Sequence, residues 1–240
     1  MTEASQESGS SAGDGMSITV TKDGPYEVAG SVPLARQTIV ADDDGFSVEW
    51  RQGQVFETAE SYRLCRCGRS ATKPFCDEAG CEGFDGTETA NREPYLGMAY
   101  EQDGPSLILT DAEELCAYAR FCDFGGRIWN LVEREGDEAR ALTIREGVRC
   151  PSGRLVAWDR ETKEAFEADV PPSIGVVEDP QEGVSGPLWI RGGVQVIAAD
   201  GFRYEVRNRM TLCRCGQSDN KPFCNGSHAS IRFDDGHIND

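Results

Sequence analysis

One cysteine phrase occurs twice in this chain of 240 residues. The first copy reads LCRCG at 64–68 and KPFC at 73–76, and the second reads LCRCG at 212–216 and KPFC at 221–224. His228 follows the second copy directly, so three thiols and one imidazole fall within one short segment. Thiolate and imidazole are the ligands of soft metal centres. The repeat therefore predicts two related units, each ending in a metal-binding loop.

Composition favours short strands and loop-built sites, because hydrophobic residues make up 38% of the chain, with 27 Gly and 11 Pro. No apolar run approaches the roughly 18 to 20 residues of a membrane span, and the N-terminus lacks signal-peptide character. We therefore expect a soluble, cytoplasmic protein with no membrane partner. In a reducing compartment, ten cysteines indicate metal or redox chemistry before disulfides, with five disulfides as the alternative.

The net charge disfavours nucleic acid as a partner. Lys and Arg total 24 against 42 Asp and Glu, a net charge of -18, so phosphate backbones should be repelled. With only two histidines and no glycine-rich nucleotide-binding phrase, we expect no catalytic constellation and hence no enzyme. The acidic surface fits basic partner proteins as well as a plain solubility role.

The pattern of apolar residues predicts a strand-rich α+β fold with two small β-rich units flanking an inserted, helix-containing segment. The expected parts are a disordered tail at 1–15, a first unit at 16–95, a middle segment at 96–174 and a second unit at 175–240. Alternation in the first unit predicts strands at 18–20, 26–28, 37–41, 46–50 and 54–57, with an enlarged loop or hairpin at 42–45.

The middle segment has a different character. Thr110-Asp111-Ala112-Glu113 has the form of a capping box and predicts a helix that ends at Gly125-Gly126. The charged run at 133–146 is typical of a helix or a solvated loop, and 155–158 reads as a short strand.

Local geometry can bring the four candidate ligands of the second loop together. In an extended chain Cys213 and Cys215 point the same way, and Pro222 rigidifies the loop that returns with Cys224. A helical turn from Cys224 would place His228 on the same side. Spacing alone leaves structural zinc and an iron–sulfur cluster open.

The phrase CRCGQSDNKPFCNGSH at 213–228 resembles the signature of the CDGSH iron–sulfur family, with Asn225 in place of the usual Asp. The resemblance implies a [2Fe-2S] cluster, with one iron on two cysteines and the other on cysteine and histidine. The implied ligands are Cys213, Cys215, Cys224 and His228. Imidazole in place of thiolate should raise the reduction potential and make cluster retention depend on pH.

The first copy departs from the signature after Cys76. Gly80 stands where histidine is expected, and Cys81 follows it. Three interpretations remain open: an all-cysteine [2Fe-2S] site, a three-cysteine site completed by another group or holding a labile cluster, and a structural remnant. The all-cysteine site would use Cys65, Cys67, Cys76 and Cys81, and would have the lower potential and the weaker sensitivity to protons.

Three further cysteines lie in the middle segment. Cys116-x5-Cys122 and the CPSG phrase at 150–153 resemble the divergent single-cluster 4Fe-4S ferredoxin family, which implies a third cluster on Cys116, Cys122 and Cys150. Asp123 is a conceivable fourth ligand. The alternative is that these cysteines are simply buried, because on an unbroken helix the first two would point about 120° apart.

The functions expected from these sites are one-electron transfer or, alternatively, cluster storage, cluster transfer or redox and pH sensing. A zinc-stabilised interaction module is a third class. The expected partners are redox proteins or apo-acceptors of clusters. Single-motif members of the family form homodimers, so two motifs in one chain suggest an internal pseudo-dimer that is itself monomeric.

Overall fold

The computed structural model describes residues 15–238, so the predicted disordered tail at 1–15 lies outside the described residues except for Gly15. The predicted strand-rich α+β class is confirmed, with 31% strand and 14% helix. The strands are β1 (Ser17–Val20), β2 (Tyr26–Ala29), β3 (Leu34–Ala41), β4 (Ser47–Phe56), β5 (Ser61–Leu64), β6 (Tyr100–Asp103), β7 (Leu107–Asp111), β8 (Leu155–Asp159), β9 (Ser173–Asp179), β10 (Val184–Arg191), β11 (Gln195–Ile197) and β12 (Arg209–Leu212). Within residues 15–238 the α-helices are α1 (Tyr95–Met98), α2 (Ile128–Leu131), α3 (Asp137–Arg149) and α4 (Ser227–Ser230).

The same strand arrangement precedes both cysteine phrases. In the first unit β2 pairs antiparallel with β1 and β5, and Tyr26 lies opposite Leu64. In the second unit β10 pairs antiparallel with β9 and β12, and Leu188 lies opposite Leu212. Leu64 at the end of β5 and Leu212 at the end of β12 each immediately precede a Cys-Arg-Cys phrase. The two units therefore have the same strand register before their cysteines.

The two units exchange strands. β3 of the first unit pairs in parallel with β9 of the second, in the register Leu34 to Ile174. Reciprocally, β11 of the second unit pairs in parallel with β1 of the first, in the register Ser17 to Gln195. The sheet orders are therefore β11-β1-β2-β5 and β12-β10-β9-β3-β4. Each sheet is completed by the other unit, as in a dimer folded within one chain.

A shared apolar core holds these sheets together. Alternating side chains point inward from both units, which removes apolar surface from water at roughly 1.5–3 kcal/mol for each large side chain. Its fully buried members include Ile18, Tyr26, Leu34, Leu64, Ile174, Ile190, Val196 and Leu212. The cysteine loops begin where strands of this core end, so the core fixes their starting points.

The first unit is larger because of one long hairpin. The separate strands predicted at 46–50 and 54–57 are one continuous strand, β4, which pairs with β3. The hairpin predicted at 42–45 is present, and the Asp42 carboxylate accepts hydrogen bonds from the backbone N–H groups of Asp44 and Phe46. This is the Asx-type turn expected of an aspartate at that position.

The middle segment contains the sheet β6-β7-β8 and the helices α2 and α3. The strand predicted at 155–158 and the helix in the charged run are both present. The helix predicted from Thr110 is wrong, because that residue lies in β7 between two partner strands. Asp111 caps no helix: its fully buried carboxylate pairs with Arg154 at 2.5 Å and accepts a hydrogen bond from Trp129.

No helix among residues 15–238 is long and apolar enough to cross a membrane.

Candidate metal centres

Both cysteine loops are held by the same set of backbone hydrogen bonds. In the second loop Cys213 N–H donates to the Pro222 carbonyl at 2.9 Å, and Cys224 N–H donates to Thr211 at 2.9 Å. In the first loop the equivalent donors are Cys65, to Pro74 at 2.8 Å, and Cys76, to Arg63 at 3.0 Å. The third cysteine is thereby held beside the first two in both copies.

A repeated serine and lysine reinforce each loop. The hydroxyl of Ser218 donates to the Phe223 carbonyl at 2.7 Å, and the Lys221 ammonium donates to the Ser218 carbonyl at 2.7 Å. Ser70 and Lys73 make the same contacts in the first loop. The lysine belongs to the repeated phrase and the serine lies between its two parts at the same position in both copies, but sequence reasoning gave neither a role. Their recurrence beside the cysteines was the available signal.

The second loop arranges its four ligand atoms as two close pairs. Cys213 Sγ lies 3.7 Å from Cys215 Sγ, and Cys224 Sγ lies 3.4 Å from His228 Nδ1. No group of three or more Cys, His, Asp or Glu side chains among residues 15–238 converges as a single ion would require. Two such pairs can offer two protein ligands to each iron of a two-iron cluster.

The turn after Cys224 carries the imidazole into the site. Gly226 has a left-handed φ of 85°, which glycine adopts without a steric penalty, and α4 begins at the next residue. Asn225 Oδ1 accepts hydrogen bonds from the Ser227 N–H at 3.2 Å and the Ser227 hydroxyl at 2.6 Å. The asparagine that departs from the signature thus forms an Asx-type turn with Ser227, while Gly226, which has no side chain to contribute, is the N-cap residue of α4.

Burial gives the second loop a distinct electrostatic state. The hydrogen bond between the two thiols lowers the pKa of Cys213 to about 6 and raises that of Cys215. Burial, assisted by the Arg214 charge, lowers the pKa of His228 to about 4. The imidazole is therefore neutral near pH 7 and needs to lose no proton before it binds a metal.

The first loop brings all four of its cysteines together. Cys65 Sγ lies 3.8 Å from Cys67 Sγ, and Cys81 Sγ lies 3.9 Å from Cys76 Sγ and 4.0 Å from Cys67 Sγ. Burial and the neighbouring cysteines raise the pKa of Cys81 to about 12. Of the three interpretations of this loop, the four-cysteine ligand set is the one that this geometry favours.

The local backbone explains why the fourth side chain moved by one residue. A Cβ atom on Gly80 would lie 2.9 Å from the carbonyl carbon of Arg69, too close for any side chain. Glu78 takes the left-handed position that Gly226 has in the second loop, with a φ of 65°, and a 3₁₀ turn at Ala79–Cys81 replaces the α-turn. This tighter turn delivers Cys81 to the site instead of Gly80.

Two buried arginines, Arg66 and Arg214, occupy the middle of the Cys-Arg-Cys phrases and were given no role from sequence. Arg214 pairs with two buried carboxylates, Glu178 at 2.6 Å and Asp235. Arg66 donates to the carbonyl oxygens of Thr21 at 2.9 Å and of Gly86. Arg214, in the second loop, therefore has anionic partners, whereas the equivalent Arg66, in the first loop, has neutral carbonyl partners.

The two loops touch each other through their glycine turns. A Cβ on Gly68 would lie 2.7 Å from the Cys215 carbonyl oxygen, and one on Gly216 would lie 2.6 Å from the Cys67 carbonyl oxygen. Both glycines have positive φ, at 76° and 78°. The reciprocal contact places the two candidate centres back to back.

The three middle cysteines lie around one cavity. Cys116, Cys122 and Cys150 line it, and Ser152 Oγ lies 3.5 Å from Cys150 Sγ. The expectation that the first two diverge on a helix is wrong, because this segment is not helical. Burial raises the pKa of Cys122, and the other two cysteines add to the effect.

The chain between Cys116 and Cys122 is a loop with two left-handed residues, Tyr118 at 53° and Arg120 at 59°. Asp123, the conceivable fourth ligand, lines a separate open groove and pairs with Arg127 at 3.7 Å. All ten cysteines are free, so the disulfide alternative is wrong.

Comparison with known proteins supports both family resemblances. Residues 23–79 and 185–229 match the family model described as "Iron-binding zinc finger CDGSH type", and residues 102–160 match the one described as "Divergent 4Fe-4S mono-cluster". No curated protein matches the chain, and no solved structure does either. The recognition of two CDGSH motifs around a divergent 4Fe-4S region is confirmed.

Proposed function

Because the chain carries two CDGSH-type regions around a divergent 4Fe-4S region, we propose that it is an iron–sulfur protein that transfers single electrons. Each repeated loop holds a [2Fe-2S] cluster, and the middle cysteines hold a [4Fe-4S] cluster. Bound iron–sulfur clusters supply reversible one-electron chemistry at potentials that their ligands and surroundings set.

The observation that carries this proposal is the pairing of ligand atoms in the second loop. Cys213 with Cys215 and Cys224 with His228 form separate pairs at 3.7 and 3.4 Å. Each pair offers two ligands to one iron, whereas a structural zinc needs all four around a single ion. The first loop provides the corresponding four thiols from Cys65, Cys67, Cys76 and Cys81.

The surrounding residues suit an electron carrier. In the second loop the three cysteines are buried and His228 is 4% exposed, which shields the site from solvent and oxidants. The loop is anchored at both ends to core strands, so its ligands need to move little when the charge of the site changes. The partners would be one-electron carrier proteins, and the net charge of -18 favours a basic docking surface on them.

The test is metal analysis with electron paramagnetic resonance on protein purified without oxygen. We expect about eight irons per chain, four from the two [2Fe-2S] clusters and four from the [4Fe-4S] cluster, with signals that appear on one-electron reduction. A colourless protein that contains zinc would reject the proposal. About four irons per chain would reject the middle cluster alone.

Cluster transfer is a second candidate, favoured by the exposure of the first loop. Cys76 and Cys81 are half-buried, whereas Cys224 and His228 are buried. A more accessible site can hand its cluster to an apo-acceptor protein more easily. The two functions separate by rate: in the same reduced sample, electron transfer to a one-electron acceptor should outpace cluster transfer if the first proposal holds.

A further inference from the structure

We propose that the three cysteine sites lie in a row, with the second loop between the first loop and the middle-segment cavity. The two ends of the second loop are then the contacts through which the outer sites communicate. This inference rests on the proposed function, because a row of centres has consequences only when each site holds its cluster.

One end of the second loop meets the first loop. The contact joins Cys215-Gly216 to Cys67-Gly68, where a Cβ on either glycine would come within 2.6 or 2.7 Å of the opposite carbonyl oxygen. Cys67 and Cys215 are themselves candidate ligands, so the touching backbones belong to both sites. Side chains on either glycine would force the loops apart, which explains the glycine in both copies.

The opposite end of the second loop meets the middle segment. A Cβ on Gly226 would lie 3.3 Å from the carbonyl oxygen of Cys116 and 3.3 Å from the Cβ of Tyr118. Asn220, in the same loop, donates a hydrogen bond to the Glu114 carbonyl at 2.8 Å. A candidate ligand of the middle cavity thus packs directly against the turn between Cys224 and His228.

A buried ion pair fixes this second contact. Arg120 lies in the loop between the two cysteines of the middle segment and pairs with Asp179 on β9 at 2.6 Å. The Asp179 side chain is 4% exposed and the Arg120 side chain 14%. Because β9 also carries Glu178, the partner of Arg214, one strand ties the middle cysteine loop to the Cys-Arg-Cys phrase of the second loop.

The two contacts lie at opposite ends of one ligand set. Gly216, next to Cys215, lies against the Cys67 backbone, and Gly226, between Cys224 and His228, lies against the Cys116 carbonyl. A route between the outer sites therefore crosses the second loop. For each electron that moves along the row, the donating site is oxidised by one electron and the accepting site is reduced by one, with a one-electron carrier protein as donor or acceptor at either end.

The histidine sets the reduction potential of this central site apart from that of the first site. A neutral imidazole in place of a thiolate leaves the second site with less negative charge than an all-cysteine site, which raises its potential. With one electron per chain, the electron should therefore reside on the second site rather than on the first.

The experiment compares paramagnetic resonance spectra of fully reduced protein in which one site at a time is removed, with iron analysis of every sample. Cys65→Ser removes the first site, Cys122→Ser the middle site and Cys213→Ser the second. Cys67→Ala, Cys150→Ala and His228→Ala are second removals at the same sites, so that no site depends on one variant. Glu57→Gln, at an exposed position outside all three sites, is the control.

We expect the signal of the second site to be split by magnetic interaction with both neighbours, and each outer removal to abolish one splitting. Removal of the second site should leave two outer signals without mutual splitting. The row is overturned if the outer sites remain coupled after that removal, or if the second signal is unchanged when an outer site loses its iron. Iron missing from a site in the wild-type protein would instead reject the proposed function at that site, and the row with it.

Discussion

The first and second cysteine loops share one backbone and differ beyond the third cysteine. The Cys65 N–H donates to the Pro74 carbonyl and the Cys213 N–H donates to the Pro222 carbonyl, so the backbone enters and leaves both loops in the same way. Past that point one loop presents a half-buried thiol and the other a buried imidazole. The repeated residues therefore build the loop, and the unrepeated ones determine its chemistry.

Removal of Cys81, the thiol that has no counterpart in the second loop, should change the difference between the two loops the most. Cys81→Ser takes away the fourth ligand of the first loop, and we expect that loop to lose its cluster, about two irons per chain, while the second keeps its own. Iron analysis and the visible spectrum of anaerobic protein measure the loss. Glu82→Gln, at an exposed neighbouring position, is the control. Unchanged iron in Cys81→Ser would show that the first loop is completed by another group.

The two central arginines should differ in their contribution to stability. Arg214→Met leaves Glu178 and Asp235 buried without their cation, which should lower the free energy of unfolding by about 3–5 kcal/mol. Arg66→Met leaves only carbonyl oxygens without a donor, at about 1–3 kcal/mol. Chemical denaturation measures both, with the exposed Arg51→Met as control. Equal losses would contradict the electrostatic difference between the loops.

Replacement of the imidazole should make the second loop behave like the first. In His228→Cys an added thiolate puts negative charge on the site, so its reduction potential should fall toward that of the first loop. The cluster should also be lost more slowly in acid, because a proton no longer competes with iron for an imidazole nitrogen. Redox titration and the decay of visible absorbance at low pH measure the two effects. If neither changes, His228 is not a ligand.

The smallest effect should come from the left-handed residue in each turn. Glu78→Gly relieves a φ of 65° that an L-residue adopts at a cost, so the free energy of unfolding should rise by about 0.5–1 kcal/mol. The exposed pair of Glu78 with Arg63 adds little to stability and little is lost with it. Gly226→Ala is the matched change in the other loop and should lower stability. Thermal unfolding of the two variants should therefore shift in opposite directions.

The sequence revealed the sites better than the elements around them. The repeated phrase identified the cysteines and His228 because their spacing is local and their chemistry is specific. Gly80 showed that the first loop differs from the signature. The 3₁₀ turn that carries Cys81 into the site, however, depends on the close contact between the Arg69 backbone and Gly80, and the spacing of residues in the sequence does not reveal that contact.

The wrong helix from Thr110 shows where local signals fail. A capping box is a preference of about 1 kcal/mol, whereas the strand at 107–111 is held between two partners and ends in the buried pair of Asp111 with Arg154. Strand exchange was equally out of reach, because alternation predicts that β1 and β3 are strands but not which strands they join.

Strand exchange also determines when the protein can become complete during synthesis. β1 leaves the ribosome early, but its parallel partner β11 is among the last strands to emerge, and β3 must likewise wait for β9. Pairings so distant along the chain close large loops and slow folding. The N-terminal unit must therefore persist with an open sheet edge until the C-terminal unit is made, and during that interval it is most exposed to aggregation.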